Sequence, residues 1–103
     1  MTVERSHINH ETRYLMRDGT AERCVLAFDT GEEGEGPAVW KILLPGPAGT
    51  EDPYGLHEFL RPDAAQLTAW LTPIVGPDAT AELAKAVDAN PPHGAGWQRL
   101  ADA

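Results

Sequence analysis

Residues 8–28 read INHETRYLMRDGTAERCVLAF, and two alternating runs meet there at the step Asp18-Gly19. In the first run the even-numbered residues from Ile8 to Met16 share one face, while the other face is mostly charged. A period of two with one polar face is typical of a half-buried antiparallel strand. Asp-Gly between such runs indicates a two-residue hairpin, because a type I′ turn needs positive φ at both central residues. The second run, about residues 20–28, becomes apolar on both faces and indicates a central strand.

Two further strand candidates and two helices follow. Residues 38–44 alternate around Trp40, and residues 54–60 form a weaker candidate. One apolar stripe at helical spacing predicts the first helix; it consists of Leu67, Trp70, Leu71, Ile74 and Val75. We expect this helix to kink or stop near Thr72, because the ring of Pro73 would clash with the carbonyl four residues earlier. A second helix, capped by Asp78, is expected to run to about Ala89.

This order of elements predicts an α+β fold. A three- to four-stranded antiparallel sheet, with its hairpin at Asp18-Gly19, is followed by two helices packed on one face. We assign residues 1–90 to this single domain and residues 91–103 to a C-terminal tail, which would fray unless Trp97 docks it.

Composition narrows the possible functions. The chain has 103 residues, 16 acidic and 8 basic side chains, a net charge of −8 and one cysteine. This balance argues against a nucleic-acid partner, which requires a basic patch. No apolar run is long enough to span a membrane, and no apolar leader follows Met1, so we expect a cytoplasmic protein with no membrane partner. No phosphate loop or dinucleotide glycine pattern occurs, so no cofactor is expected.

The negative charge is concentrated in the middle of the chain. Residues 1–28 contain four acids and four bases, residues 29–60 have a net charge of −6, and residues 61–103 have a net charge of −2. These charges predict a non-catalytic interaction module, such as an inhibitor, an immunity or antitoxin-type protein or a regulatory accessory protein, that binds a basic protein surface. Homodimerisation through an exposed strand or the first helix is also expected. The candidate partner-binding residues are Glu32, Glu33, Glu35, Glu51, Asp52 and Trp97.

An enzymatic alternative comes from the run Val25–Gly31. Apolar residues leading into Asp29-Thr30-Gly31 resemble the active-site motif of aspartic peptidases. The resemblance implies a homodimer in which each copy contributes one catalytic aspartate, here Asp29. In that chemistry two carboxylates share one proton, so that one activates water and the other acts as the acid.

Three other patterns give weaker hypotheses. His7-x-x-His10-Glu11 contains metal-ligand residue types, but residues three apart on a strand point to opposite faces, so no metal site is predicted. Cys24 lies among apolar residues and is expected to be a small buried hydrophobe. Finally, Tyr14, Trp40 and Trp70 could line a small-molecule pocket between the sheet and the helices.

Overall fold

The computed structural model describes residues 1–31, 38–44, 54–60 and 64–93, and for residues 54–60 it describes the backbone. In these ranges the chain forms five strands and then two helices. They are β1 (Thr2–Ile8), β2 (Glu11–Asp18), β3 (Ala21–Asp29), β4 (Val39–Leu44), β5 (Tyr54–Leu60), α1 (Ala64–Val75) and α2 (Pro77–Ala89). The predicted α+β arrangement, an antiparallel sheet followed by two helices, is confirmed.

The sheet is a simple meander. Its spatial order is β1-β2-β3-β4-β5, and every neighbouring pair is antiparallel. Strands that follow one another in the chain are therefore neighbours in space, the arrangement that short connections favour.

Strand β1 was not part of the sequence prediction. It pairs with β2 through the two-residue turn Asn9-His10, in which Asn9 has a φ of 57°. Asparagine tolerates this left-handed conformation better than most residues, so a turn forms there without glycine. The turn separates Ile8 from the run that follows it, and Ile8 is 60% exposed. The expected inward face of the first run is therefore limited to β2, where Thr12, Tyr14 and Met16 are buried.

The hairpin between β2 and β3 forms where the Asp18-Gly19 step predicts it, with a different turn. Asp18 pairs with Ala21, so the two turn residues are Gly19 and Thr20. Gly19 has a φ of 64°, and Thr20 has no positive φ. Positive φ at the first turn residue alone is typical of a type II′ turn rather than the expected type I′ turn.

Among the described residues, the hydrophobic core lies on one face of the sheet. Inward-facing residues of β2, β3 and β4 pack against both helices, and their neighbours along each strand point away from the helices. Trp40 lies at the centre of this layer, with its ring 4.9 Å from Phe28 and 6.3 Å from Tyr14, and all three side chains are fully buried. Trp70 packs against the same cluster and is partly buried. Cys24 is buried as predicted, and burial raises the pKa of its thiol.

Helix α1 does not stop near Thr72, which was one of the two outcomes that the sequence predicts there. It continues through Pro73 to Val75. Pro73 lies in the last turn and removes one helical hydrogen bond, the one that an N–H at this position would donate to the carbonyl of residue 69. The helix still closes with a bond from the N–H of Gly76 to the carbonyl of Thr72. Within the described ranges, no helix is long and apolar enough to cross a membrane.

Helix α2 begins differently from the prediction and is more deeply buried. Gly76, with a φ of 89°, occupies the N-cap position and Pro77 follows, whereas the predicted cap, Asp78, lies in the first turn. A carboxylate there still interacts favourably with the helix dipole. Leu83 and Val87 are buried in the core, so α2 is a central element and not the peripheral one that its thin apolar stripe suggests.

One-sided burial predicts unequal costs for two leucine truncations. We expect Leu83→Ala to lower the free energy of unfolding by about 2–5 kcal/mol, because it leaves a cavity in the core. The matched control Leu15→Ala removes the same atoms from a partly exposed residue of β2 that points away from the core, and should cost about 1 kcal/mol. Urea unfolding of both variants checks this, and equal losses would contradict a core confined to one face.

Candidate functional site

One end of the sheet collects most of the polar contacts. Glu11, the first residue of β2, pairs with Asp29, the last residue of β3, and Asp29 pairs in turn with Val39, the first residue of β4. This register brings the β1–β2 turn beside the exit of β3 and the entry of β4. We call this region the Asn9 end and define it as residues 9–11, 29–31 and 38–39.

The carboxylate of Asp29 joins the β1–β2 turn, the exit of β3 and strand β4. His10 donates from Nδ1 to Oδ1 over 2.6 Å, and the Nζ of Lys41 lies 2.9 Å from Oδ2. The backbone N–H of Gly31 donates to Oδ1 over 2.8 Å, as in an Asx turn. Since the side chain is only 13% exposed, these charge-assisted bonds are well shielded from water.

This environment keeps Asp29 ionised. Burial alone would raise the pKa of its carboxyl group, but the hydrogen bonds from Lys41, Gly31 and His10 and the positive charge of Lys41 outweigh burial and hold the pKa at about 2. A carboxylate with this pKa carries no proton at the pH of most experiments. The proton-sharing pair of an aspartic peptidase needs the opposite, a carboxyl group that stays protonated part of the time.

The next residue, Thr30, is fixed to the same turn. Its backbone N–H donates to the carbonyl oxygen of His10 over 3.0 Å, and its hydroxyl donates to the same oxygen over 3.2 Å. Asp29 and Thr30 therefore bind the β1–β2 turn or β4, and Gly31 binds Asp29. In this arrangement the motif anchors the point where residues 32–37 begin.

A metal site at the Asn9 end is not favoured by its charges. Donor atoms of His10, Glu11 and Asp29 lie within 4.8 Å of one another. However, the ammonium group of Lys41 contacts Asp29, and the guanidinium of Arg13 donates to Glu11 over 3.2 Å. These two cations already neutralise both carboxylates, so a divalent cation would meet repulsion. His7 and His10 do not share a site, because His7 binds Thr12 and His10 binds Asp29. The strand geometry from which the sequence argument excluded a shared metal ion does not apply, since His10 lies in the β1–β2 turn.

On the helix side of the same end, the residues after α2 bind β1 and β2. Arg5 donates to the carbonyl oxygen of Pro91 over 2.9 Å. The hydroxyl of Tyr14 donates to the carbonyl oxygen of Asn90 over 2.5 Å, and burial raises the pKa of Tyr14, which keeps it a neutral donor. We call residues 90–93 together with these contacts the C-terminal latch.

A single hydroxyl completes the latch. The backbone N–H of His93 donates to Oγ1 of Thr12 over 3.0 Å, and Nδ1 of His7 lies 2.9 Å from the same oxygen. The rings of His7 and His93 are 4.6 Å apart, and Pro92 between these contacts and α2 is buried. The first residues of the predicted tail thus pack on the domain.

All the sequence-predicted partner-binding residues lie outside the described ranges, but their attachment points are known. Residues 32–37, which contain Glu32, Glu33 and Glu35, are attached to Gly31 and Ala38 at the Asn9 end. The segment that contains Trp97 begins after His93, which contacts Thr12. Thr12 is the neighbour of Glu11 in β2, so this attachment point is also at the Asn9 end. Residues 45–53, which contain Glu51 and Asp52, join Leu44 to Tyr54 at the opposite end of β4. Leu44 lies about 17 Å from Val39, at ~3.4 Å per residue.

The cations of the sheet are already engaged by groups of the same chain. Ion pairs join Arg13 to Glu11, Arg17 to Glu22, Arg23 to Asp18 and Lys41 to Asp29, at 2.9–3.7 Å. Sequence reasoning could not pair these residues, because partners such as Lys41 and Asp29 lie on different strands. One available signal was that Lys41 is the only lysine or arginine between residues 29 and 60.

Comparison with known proteins gives no relative from which a function could be transferred. No family model, no curated protein and no solved structure matches the chain.

The low pKa of Asp29 predicts how a substitution responds to pH. An aspartate whose pKa falls from 3.8 to about 2 on folding stabilises the fold above the higher value, by roughly 2 kcal/mol, and loses that contribution as pH falls through the lower one. We therefore expect Asp29→Asn to lower the free energy of unfolding by about that amount at neutral pH, with the difference from wild type vanishing near pH 2.

Asp18→Asn is the matched control. Asp18 is 61% exposed and lies 3.5 Å from Arg23, so its loss should change stability by less than about 0.5 kcal/mol. Denaturant unfolding across this pH range measures both variants. A cost of Asp29→Asn that did not change with pH would contradict the ionised network.

Proposed function

We propose that the chain is a small non-catalytic interaction module whose acidic segments bind a basic surface of another protein. The observation that carries the proposal is the distribution of charge. Arg5, Arg13, Arg17, Arg23 and Lys41 are all the lysines and arginines of residues 1–60. Each of them contacts an acid or a carbonyl of the described sheet and latch. The acidic segments therefore have few cations of their own chain left to neutralise them.

The anchoring of the Asn9 end supports the same proposal. Asp29, Thr30 and Gly31 fix the start of residues 32–37 to the β1–β2 turn, and the latch fixes the start of residues 94–103 beside it. Carboxylates in a segment whose ends are held by the sheet suit the recognition of a basic protein, and an aromatic residue such as Trp97 suits an apolar anchor point on that partner. Glu51 and Asp52 belong to the other end of the sheet and would form a separate contact.

The enzymatic alternative receives no support from Asp29. Its carboxylate is ionised and bound by Lys41, His10 and Gly31, so it neither shares a proton nor is free to activate water. The small-molecule hypothesis receives none from Tyr14 and Trp40, which are fully buried in the core. The interaction module is therefore the function that we propose.

The test begins with affinity capture to identify a partner, followed by stopped-flow measurement of its association rate. The triple reversal Glu32→Lys, Glu33→Lys and Glu35→Lys changes the net charge by +6. We expect it to slow association by about tenfold or more at low ionic strength, near 0.01 M, and much less near 1 M, where charges are screened beyond ~3 Å.

A matched control separates local from overall charge. Glu4→Lys, Asp78→Lys and Asp88→Lys together change the net charge by the same +6, on exposed residues of β1 and α2. We expect this control to slow association less than the triple reversal does. Equal effects of the two sets, or an unchanged rate for the first, would remove residues 32–35 from the interface. Reversal of Glu51 and Asp52 then tests the other end.

A further inference from the structure

The C-terminal latch contains a hydrogen-bonding arrangement that depends on the protonation state of one histidine. Oγ1 of Thr12 is fully buried and has two neighbours, the backbone N–H of His93 at 3.0 Å and Nδ1 of His7 at 2.9 Å. An amide N–H can only donate, so the hydroxyl oxygen accepts from His93. The hydroxyl proton of Thr12 is then free to donate to His7, which requires an Nδ1 without a proton.

Protonation of His7 removes that acceptor. In the imidazolium form both ring nitrogens are donors, so Nδ1–H and the N–H of His93 would both point at one buried hydroxyl. The hydroxyl proton of Thr12 would lose its acceptor, and within the described part of the chain no other hydrogen bond of Thr12 is recorded. An unsatisfied buried donor is costly, and separation of residues 90–93 from the sheet would relieve it by letting water reach the hydroxyl.

The charges near His7 act in both directions. On the helix-facing side of β1 and β2, the charged and titratable groups beside His7 and Thr12 are Arg5 and Tyr14. The C-terminal half of α2 contains Lys85 and Asp88, and the latch contains His93. Arg5, which binds the carbonyl of Pro91, opposes a positive charge on His7. The negative end of the α2 dipole favours one, as does Asp88, which is exposed and therefore screened. The contact that distinguishes the two forms of His7 is the hydroxyl of Thr12.

We propose that the C-terminal latch is a pH-sensitive switch, closed when His7 is neutral and opened when His7 is protonated. Histidine is the side chain that ordinarily titrates between about pH 5 and 8. The contribution of the latch is therefore present at the upper end of this range and is lost as pH falls through it. Opening releases residues 90–93 from β1 and β2. The switch does not depend on the interaction proposed above.

Amide hydrogen exchange of His93 tests the switch directly, because this N–H makes the bond to Thr12. Protection is measured at about pH 7.5 and pH 5, each relative to the intrinsic exchange rate at that pH. In the wild type we expect the protection of His93 to fall by roughly tenfold or more at the lower pH, as the loss of one buried hydrogen-bond partner typically brings. The amide of Leu26 in the centre of β3 should stay protected.

Two variants make the test specific. In His7→Asn the side-chain Oδ1 replaces Nδ1 as an acceptor that does not titrate, so His93 should stay protected at both pH values. Thr12→Val removes the hydroxyl, so His93 should be unprotected at both. His10→Asn is the control: it removes a histidine that binds Asp29 on the other side of the sheet, and it should leave the wild-type response of His93 intact.

Three results would overturn the proposal. The first is wild-type protection of His93 that does not change with pH. The second is a His7→Asn variant that loses protection as the wild type does. The third is a parallel loss at Leu26, which would indicate unfolding of the whole domain rather than opening of the latch.

Discussion

Alternation along β2 and β3 sends neighbouring side chains to opposite faces of the sheet, and this constraint organises the Asn9 end. Thr12 pairs with Phe28 and faces the helices, whereas Glu11 pairs with Asp29 and faces away from them. A one-residue step therefore separates two polar clusters. The inward one reaches the residues after α2, and the outward one reaches Lys41 of β4. Both fix chain segments that leave the sheet at the same end.

The strands and helices with strong periodicity were predictable from the sequence, and the edge strand β1 was not. β2, β3 and β4 each carry alternating apolar residues that the core requires, so the sequence records their burial. β1 is almost wholly exposed, and its residues Glu4, Arg5 and Ser6 give no apolar face from which a strand could be inferred. Its turn at Asn9 depends on a single left-handed asparagine, a weaker signal than a glycine pair.

The candidate site was less predictable for a different reason. Asp29 was singled out because of Thr30 and Gly31, its neighbours in the chain, which suggested catalysis. Its properties come instead from His10 and Lys41, which are 19 and 12 residues away and are brought close by strand register. Burial of α2 was underestimated because Ala79 and Thr80, both buried, are small or polar and add little to an apolar stripe. Both the environment of Asp29 and the burial of α2 depend on contacts between elements that are distant in the chain, which a local sequence pattern does not contain.

The exposed edge of β1 also limits how two copies of the chain could join. When two copies of β1 pair antiparallel about a two-fold axis, the same face of each sheet points in the same direction. Directly opposed residues must then both be even-numbered or both be odd-numbered. The full register places Arg5 opposite Arg5, and a two-residue shift one way places Glu4 opposite Glu4. Like charges in directly opposed positions destabilise a strand pair, and Arg5 is already tethered to Pro91. The guanidinium of Arg5, which binds Pro91 after α2, thus also disfavours the pairing of two copies through β1.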